Sequence, residues 1–144
     1  MALVPLPFEP VVPLEQTFDA LYGLDVLEMT ADIARAEVRV TEHHKQPMGL
    51  VHGGVFASIA ESITSGATAR AVFPTGHMAQ GMSNQTSFLR PIFGGTIRAT
   101  ARPRHKGRTT WVWEVDITDD EDRLCALVRM TIAVRPLPEG VQPR

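Results

Sequence analysis

The run His52-Gly53-Gly54-Val55-Phe56-Ala57-Ser58-Ile59-Ala60-Glu61-Ser62-Ile63-Thr64-Ser65 continues without a proline to Val72 and meets Pro74 just beyond. Proline cannot extend a helix, and the residue before it avoids helical geometry, so the run predicts a helix over 54–72. At 100° per residue Val55, Phe56, Ile59, Ile63 and Ala67 share one arc, the face expected to pack. Glu61 falls on the other side, among Ala57, Thr64, Ser65 and Thr68, all small or hydroxylated. Between Gln46 and Ala69 it is the only acidic residue, and no Lys or Arg occurs there. It therefore lacks a helical ion-pair partner three or four residues away.

A solvated glutamate is the plain reading of that position. The glycine pair in front of the helix argues for more. Free N–H groups and the positive end of the helix dipole gather at a helix N-terminus. Glycine there lets a ligand carbonyl approach the backbone, which makes an oxyanion site without side chains; a simple turn is the commoner role of such a pair. Glu61 lies roughly 10–12 Å further along the axis by helix rise. Glu61 and Gly53 of one chain cannot share an atom, so a site using both needs a spanning substrate or a second subunit.

Outward from the helix the pattern is mostly period two. Upstream, the alternation of Ala34, Ala36, Val38 and Val40 with Arg35, Glu37, Arg39 and Thr41 predicts a half-buried strand. Residues 25–28 suit a short strand, and Leu14 to Tyr22 a short helix ending near Gly23. Residues 42–52, with Pro47 and Gly49, read as a loop. Downstream, strands are expected over 78–89, 96–102, 109–118 and 123–135, with an acidic turn at 119–122. Trp111, Trp113, Val115 and Ile117 share one face, as do Leu124, Ala126, Val128, Met130, Ile132 and Val134. One long helix against an antiparallel sheet is an α+β arrangement. Open sheet edges call for cover, so a homodimer is expected.

The 144 residues are 44% hydrophobic and 21% charged, the profile of one globular domain spanning 1–144. A formal net charge of -2 argues against a nucleic-acid coat. No apolar run is long enough for a bilayer span. Residues 1–13, interrupted by Pro5, Pro7, Pro10 and Pro13, read as an extended arm and not a signal peptide. A single cysteine, Cys125, allows no intrachain disulfide and points to the cytoplasm.

Arg98, Arg102, Arg104, His105, Lys106 and Arg108 crowd one strand and its turn. A solvated strand face is the ordinary explanation, and capture of phosphates the functional one. Aromatics do not interleave with these charges, which disfavours nucleic acid. His43, His44 and His52 match no zinc spacing, so no metal is expected. Trp111 and Trp113 read as core, and Cys125 as a small buried apolar residue.

The run Gln46-Pro-Met-Gly-Leu-Val-His52-Gly53-Gly54 through Glu61 to Ser65 resembles the hotdog-fold thioesterase superfamily. The likeness continues in Gly81-Met-Ser-Asn-Gln-Thr-Ser-Phe-Leu-Arg90-Pro, in Thr109-Thr-Trp-Val-Trp-Glu-Val and in Arg123 to Pro136. It is strongest to the 4-hydroxybenzoyl-CoA thioesterases whose acidic residue is a helical glutamate. The resemblance implies a helix wrapped by a five- to six-stranded antiparallel sheet and cofactor-free hydrolysis of an aromatic acyl-CoA. Relatives acting on 1,4-dihydroxy-2-naphthoyl-CoA or phenylacetyl-CoA are the alternatives, and an acyl-CoA-binding domain without turnover is the alternative of another class. It further implies Glu61 as nucleophile or general base, the Gly53 N–H as carbonyl polariser, Gln46 as its orienting amide and Ser65 as an assisting hydroxyl. His52, Arg90, Arg108 and Thr109 are implied in substrate binding, with coenzyme A contacts at the last three. The site would lie between subunits, Glu61 of one facing Gly53 of another, in a dimer or a dimer-of-dimers tetramer. Leu137-Pro-Glu-Gly stands where the family has a more basic tail, which removes one expected phosphate contact.

Overall fold

The structure is a computed structural model and describes residues 5–141. Residues 1–4 of the expected N-terminal arm lie outside the described residues. Six strands form one antiparallel sheet: β1 (Asp25–Met29), β2 (Ala34–Arg39), β3 (His77–Phe88), β4 (Thr96–Lys106), β5 (Thr110–Thr118) and β6 (Leu124–Pro136). Their order across the sheet is β1-β2-β4-β5-β6-β3. The single long helix, α2 (Gly53–Val72), packs on one face, and a four-residue helix, α1 (Phe18–Leu21), lies near it. This is the hotdog arrangement, one helix wrapped by a sheet.

The alternating residues do what period two requires. Ala34, Ala36, Val38, Ile97, Ala99, Ala101, Trp113, Val115, Ile117, Val128 and Ile132 are buried beneath α2 together with Phe56, Ile59, Ile63 and Ala67. Small alanines on β2 and β4 let the helix approach, and larger residues on β5 and β6 fill the remaining depth.

Several local expectations are corrected. Thr64 and Thr68 belong to the buried face and not with Glu61; both are fully buried. Their hydroxyls donate to the carbonyls of Ala60 and Thr64, at 2.8 Å in each case, and Thr68 also accepts from Trp113 Nε1 at 2.9 Å. Back-bonding to the helix makes a threonine tolerable in a core. Val55, assigned to the packed arc, is only half-buried. Leu124 is exposed because a bulge between Ile117 and Thr118 breaks the alternation before Ala126. β4 continues to Lys106 through a second irregularity at Pro103 and His105. The upstream helix is split at Thr17 into a 3-10 turn, Leu14–Gln16, and α1. The loop of residues 42–52 contains a 3-10 turn, Glu42–His44, and a bridge between Lys45 and Val51. The described part of the arm lies on the far end of α2, where Phe8 meets Phe73 with ring centroids 5.8 Å apart.

Candidate active site

β3 is a sheet edge of twelve residues, and its inward face is set by one bulge. It pairs with β6 as Gly81↔Ile132 and Ser83↔Thr131, leaving Met82 as the extra residue. The bulge changes the parity of the strand. Gly81 faces the helix on one side of it; Asn84 and Thr86 do so on the other. Asn84 Nδ2 donates to the Ala57 carbonyl at 2.9 Å, and Thr86 Oγ1 donates to Asn84 Oδ1 at 2.7 Å. The strand is thereby tied to the first half of α2.

Glu61 reaches over this strand. A Cβ built at Gly81 would stand 3.5 Å from Glu61 Oε1 and 3.7 Å from Ser65 Oγ. The two side chains thus converge over a position with no side chain. Glu61 is exposed, and its carboxylate has no hydrogen bond or ion pair among the described residues. Ser65 Oγ is buried and has no hydrogen-bond partner among the described residues. A buried hydroxyl without a partner is uncommon, and this one lies beside a carboxylate in a position that suits a third polar group.

At the start of α2, His52 is the N-cap. Its Nδ1 accepts from the Gly54 N–H at 2.9 Å, so the other ring nitrogen carries the proton in the neutral imidazole. The Gly53 N–H has no acceptor among the described residues. The cap satisfies one amide and leaves its neighbour free. Phe88 stands against that neighbour: a Cβ on Gly53 would lie 2.5 Å from Phe88 Cε1, so a side chain there would have to push the ring aside.

Gln46 opens the hairpin before His52. Its Oε1 accepts from the Met48 N–H at 2.7 Å, which turns the amide so that its NH2 group, unengaged among the described residues, is the free end. Within one chain, Glu61 and Ser65 are together. Gly53 is roughly 12 Å from Glu61 along the helix axis, as the sequence required.

The basic stretch divides into two kinds. Arg98 pairs with Glu37 and Asp120, Arg104 with Glu114, and Lys106 with Asp32 while standing 5.4 Å from the Trp111 ring centre. These charges are balanced on the sheet surface. Arg90, Arg102 and Arg108 are exposed and carry no ion pair among the described residues. Arg108 and Thr109 share a cleft of about 380 Å³ with His77 and Arg135. Arg135 Nη1 donates to the Thr109 carbonyl at 3.0 Å, which fixes its guanidinium beside Arg108. The sequence reading had no signal for Arg135, since it lies on the polar side of an ordinary alternating strand. Arg90 stands apart, at the chain turn after β3, where its N–H donates to the Cys125 carbonyl at 3.0 Å.

The remaining candidates are structural. His44 is buried, accepts from the Thr41 N–H at Nδ1 and donates from Nε2 to the Tyr22 carbonyl at 2.7 Å, so both nitrogens are used. Cys125 is buried, and burial pushes its thiol above the ordinary 9.0. Trp111 and Trp113 are core. A second, larger cleft of about 740 Å³ lies between α1 and the first turns of α2, lined by Phe18, Leu21, Tyr22, His43, Val55 and Ser58. It contains none of the residues singled out as catalytic.

Residues 48–126 match the family model described as the thioesterase superfamily. This chain belongs to that superfamily. It is 40% identical to Rv1847 of Mycobacterium tuberculosis, an esterase by name, over 85% of this chain and 86% of that protein. The Rv1847 structure superposes with a TM-score of 0.81 over 84% of this chain and 98% of the other. The 1,4-dihydroxy-2-naphthoyl-CoA hydrolase of Listeria monocytogenes is 34% identical over 78% of this chain and 91% of its own length. Thioesterase PA1618 of Pseudomonas aeruginosa, solved as a glutamine-to-alanine variant, superposes with a TM-score of 0.81 at 30% identity, over 85% of this chain and 88% of the other. The thioesterase described here is thus a thioester hydrolase of the hotdog fold, and membership in a catalytic family sets aside the binding domain without turnover.

Proposed function

We propose that this thioesterase hydrolyses an aromatic acyl-CoA, of the 4-hydroxybenzoyl-CoA kind, to the free acid and coenzyme A, in a site shared by two copies of the chain. The observation that carries the reading is the pair of groups on α2 left unsatisfied among the described residues: a carboxylate, Glu61, without a cation, and an amide, Gly53 N–H, without an acceptor. A thioester carbonyl is electrophilic and its thiolate leaves readily, so a carboxylate and an oxyanion donor suffice for the chemistry.

The edge strand supplies the geometry of sharing. β3 leaves one side of its backbone unpaired. If two copies pair antiparallel about a two-fold axis at Gln85, the bulge sets Gly81 and Met82 of one opposite Phe88 of the other. Glu61 stands over Gly81 and Gly53 lies against Phe88. The same pairing therefore carries each Glu61 toward the second copy's Gly53. There the Gly53 N–H takes the developing negative charge of the carbonyl oxygen, and Gln46 orients that carbonyl from its free NH2 group. Glu61 attacks the carbon or takes a proton from the attacking water, with Ser65 Oγ bonding the same water or carboxylate. His52 holds the glycine turn in shape by capping Gly54. Arg108 and Thr109, with Arg135 beside them, and Arg90 receive the phosphates of coenzyme A. Tetramer assembly from two such dimers and a cytoplasmic setting belong to the same reading. A glutamine-to-alanine variant of PA1618 changes the residue type assigned here to carbonyl orientation.

The similarity to the Listeria enzyme supports 1,4-dihydroxy-2-naphthoyl-CoA as the second substrate to try. Thiol release from both aryl-CoAs, from phenylacetyl-CoA and from aliphatic acyl-CoAs, followed with a thiol-reactive dye, tests the reading. Turnover should fall by about 10²- to 10⁴-fold in Glu61→Ala. Mixing inactive Glu61→Ala with Gly53→Pro, which lacks the N–H at the first helical position, unfolding and refolding together, should restore about a quarter of wild-type activity, because each mixed dimer keeps one intact site. No recovery would place the whole site within one chain and end the shared-site reading.

A further inference from the structure

Phe88 is the least expected residue at the site. It ends β3, and its side chain is 60% exposed although the ring lies against two features of α2. One is Gly53, whose missing Cβ leaves the space that Cε1, Cζ and Cδ1 of the ring occupy. The other is Phe56, its ring centroid 6.5 Å away and tilted by 35°. The bulge at Met82 is what brings it there. Without that extra residue Phe88 would share the parity of Met82 and turn away from the helix. Asn84 and Thr86 then hold the same inward parity through their hydrogen bonds to α2 and to each other.

The result is a large aromatic ring, partly open to solvent, beside the Gly53 amide, which has no acceptor among the described residues. From this we infer that Phe88 is a specificity-determining residue, a flat apolar wall against which the acyl group lies when its carbonyl reaches the Gly53 N–H. The inference rests on the aromatic acyl-CoA reading and deepens it. Aromatic rings gain more from packing against each other than their buried area alone supplies. An aryl thioester bound at Gly53 therefore gains from the Phe88 ring in a way a straight-chain thioester of similar size does not. The wall also keeps water from one side of the carbonyl oxygen, which strengthens the Gly53 N–H bond to it.

The test is a ratio, since a general loss of structure lowers every substrate alike. kcat/KM is measured for benzoyl-CoA and hexanoyl-CoA with wild type, Phe88→Leu, Phe88→Met and Phe88→Tyr. Leu and Met keep an apolar side chain without a π-face; Tyr keeps the ring. The expected result is a fall in the benzoyl-to-hexanoyl ratio of about three- to tenfold in both the Leu and the Met variants. Tyr should hold the ratio within about twofold of wild type. A ratio unchanged in Leu and Met overturns the wall while leaving Glu61 and Gly53 untouched. If wild type hydrolyses hexanoyl-CoA but not benzoyl-CoA or any other aryl-CoA, the aromatic reading fails, and the wall with it. Those two failures are distinct, because the first shows aryl turnover in wild type and the second shows none.

Discussion

Phe88 occupies the volume that any side chain at Gly53 would need, with its Cε1 carbon 2.5 Å from the Cβ position. The contact makes a two-residue prediction. In Gly53→Ala the methyl group must displace the ring or the helix start, since overpacking of this kind costs about 1–3 kcal/mol. Phe88→Ala opens the space at a modest cost, because that ring is already half in solvent. The double variant should then be more stable than the sum of the two single losses, with a coupling of about 1–2 kcal/mol. Urea unfolding of the four proteins measures it. Additive losses would mean that the two residues do not touch.

Thr68 and Trp113 make a second test, in the core. The Thr68 hydroxyl is both donor to the Thr64 carbonyl and acceptor from Trp113 Nε1, and all three groups are out of water. Thr68→Val keeps the shape and the methyl group but strands the indole N–H. An unsatisfied buried donor costs about 1–3 kcal/mol, so the thermal midpoint should fall by several degrees for a domain of this size. Thr68→Ser, which keeps the hydroxyl, should lose less. A loss in Thr68→Ser with none in Thr68→Val would show that the methyl group, and not the hydrogen bond, matters there.

The same threonine marks where the sequence stopped being legible. The faces of β2, β5 and the first half of β4 could be read because each alternates cleanly, and the long helix because Pro74 ends a run without breakers. Thr64 and Thr68 could not be assigned to the core by polarity, since back-bonding and an indole partner are properties of the packed state. Glu61 stood out because no cation occurs between Gln46 and Ala69, and the structure gives it no ion pair among the described residues. Ser65 could be placed beside it by helix spacing. Phe88 could not be placed at the site, because the bulge that aims it leaves no mark in a run such as Gly81-Met82-Ser83. The phosphate candidates separated only once Glu37, Asp120, Glu114 and Asp32 were seen beside their arginines and lysine.

Tyr22 gives the protein an alkaline weakness. Its hydroxyl is buried between α1 and α2, bonded to Asp19 Oδ1 at 2.9 Å and to Ser62 Oγ at 3.2 Å. Burial first, and then the negative charges of Asp19 and Glu61, push its pKa well above the ordinary 10.0. A raised folded-state pKa means that the folded chain holds the proton after the unfolded chain has released it. The contribution to stability is therefore whole below pH 10 and is lost as pH rises from 10 toward the folded-state value. Urea midpoints between pH 8 and about 11.5 should fall more steeply in wild type than in Tyr22→Phe, which has no proton to lose. Parallel profiles would remove Tyr22 as the cause.

Arg108 and Arg98 offer a contrast on a single basic stretch. Arg98 is held by Glu37 and Asp120, so its charge is already answered. Arg108 has no ion pair among the described residues and shares a cleft with Thr109 and Arg135. A charge-assisted bond to a phosphate is worth about 1.5–3 kcal/mol, so losing it should raise KM by roughly ten- to a hundredfold. Arg108→Ala should do so for an acyl-CoA and leave kcat nearly unchanged, because the phosphates lie far from the reacting carbon and bind equally before and during the reaction. With the same acyl group on N-acetylcysteamine, which has no phosphate, wild type and Arg108→Ala should be alike. Arg98→Ala should leave KM for both thioesters within about twofold, since its partners occupy it on the sheet surface and such pairs are worth little. An equal rise in KM on the phosphate-free thioester would mean that Arg108 holds the protein surface in shape and touches no phosphate.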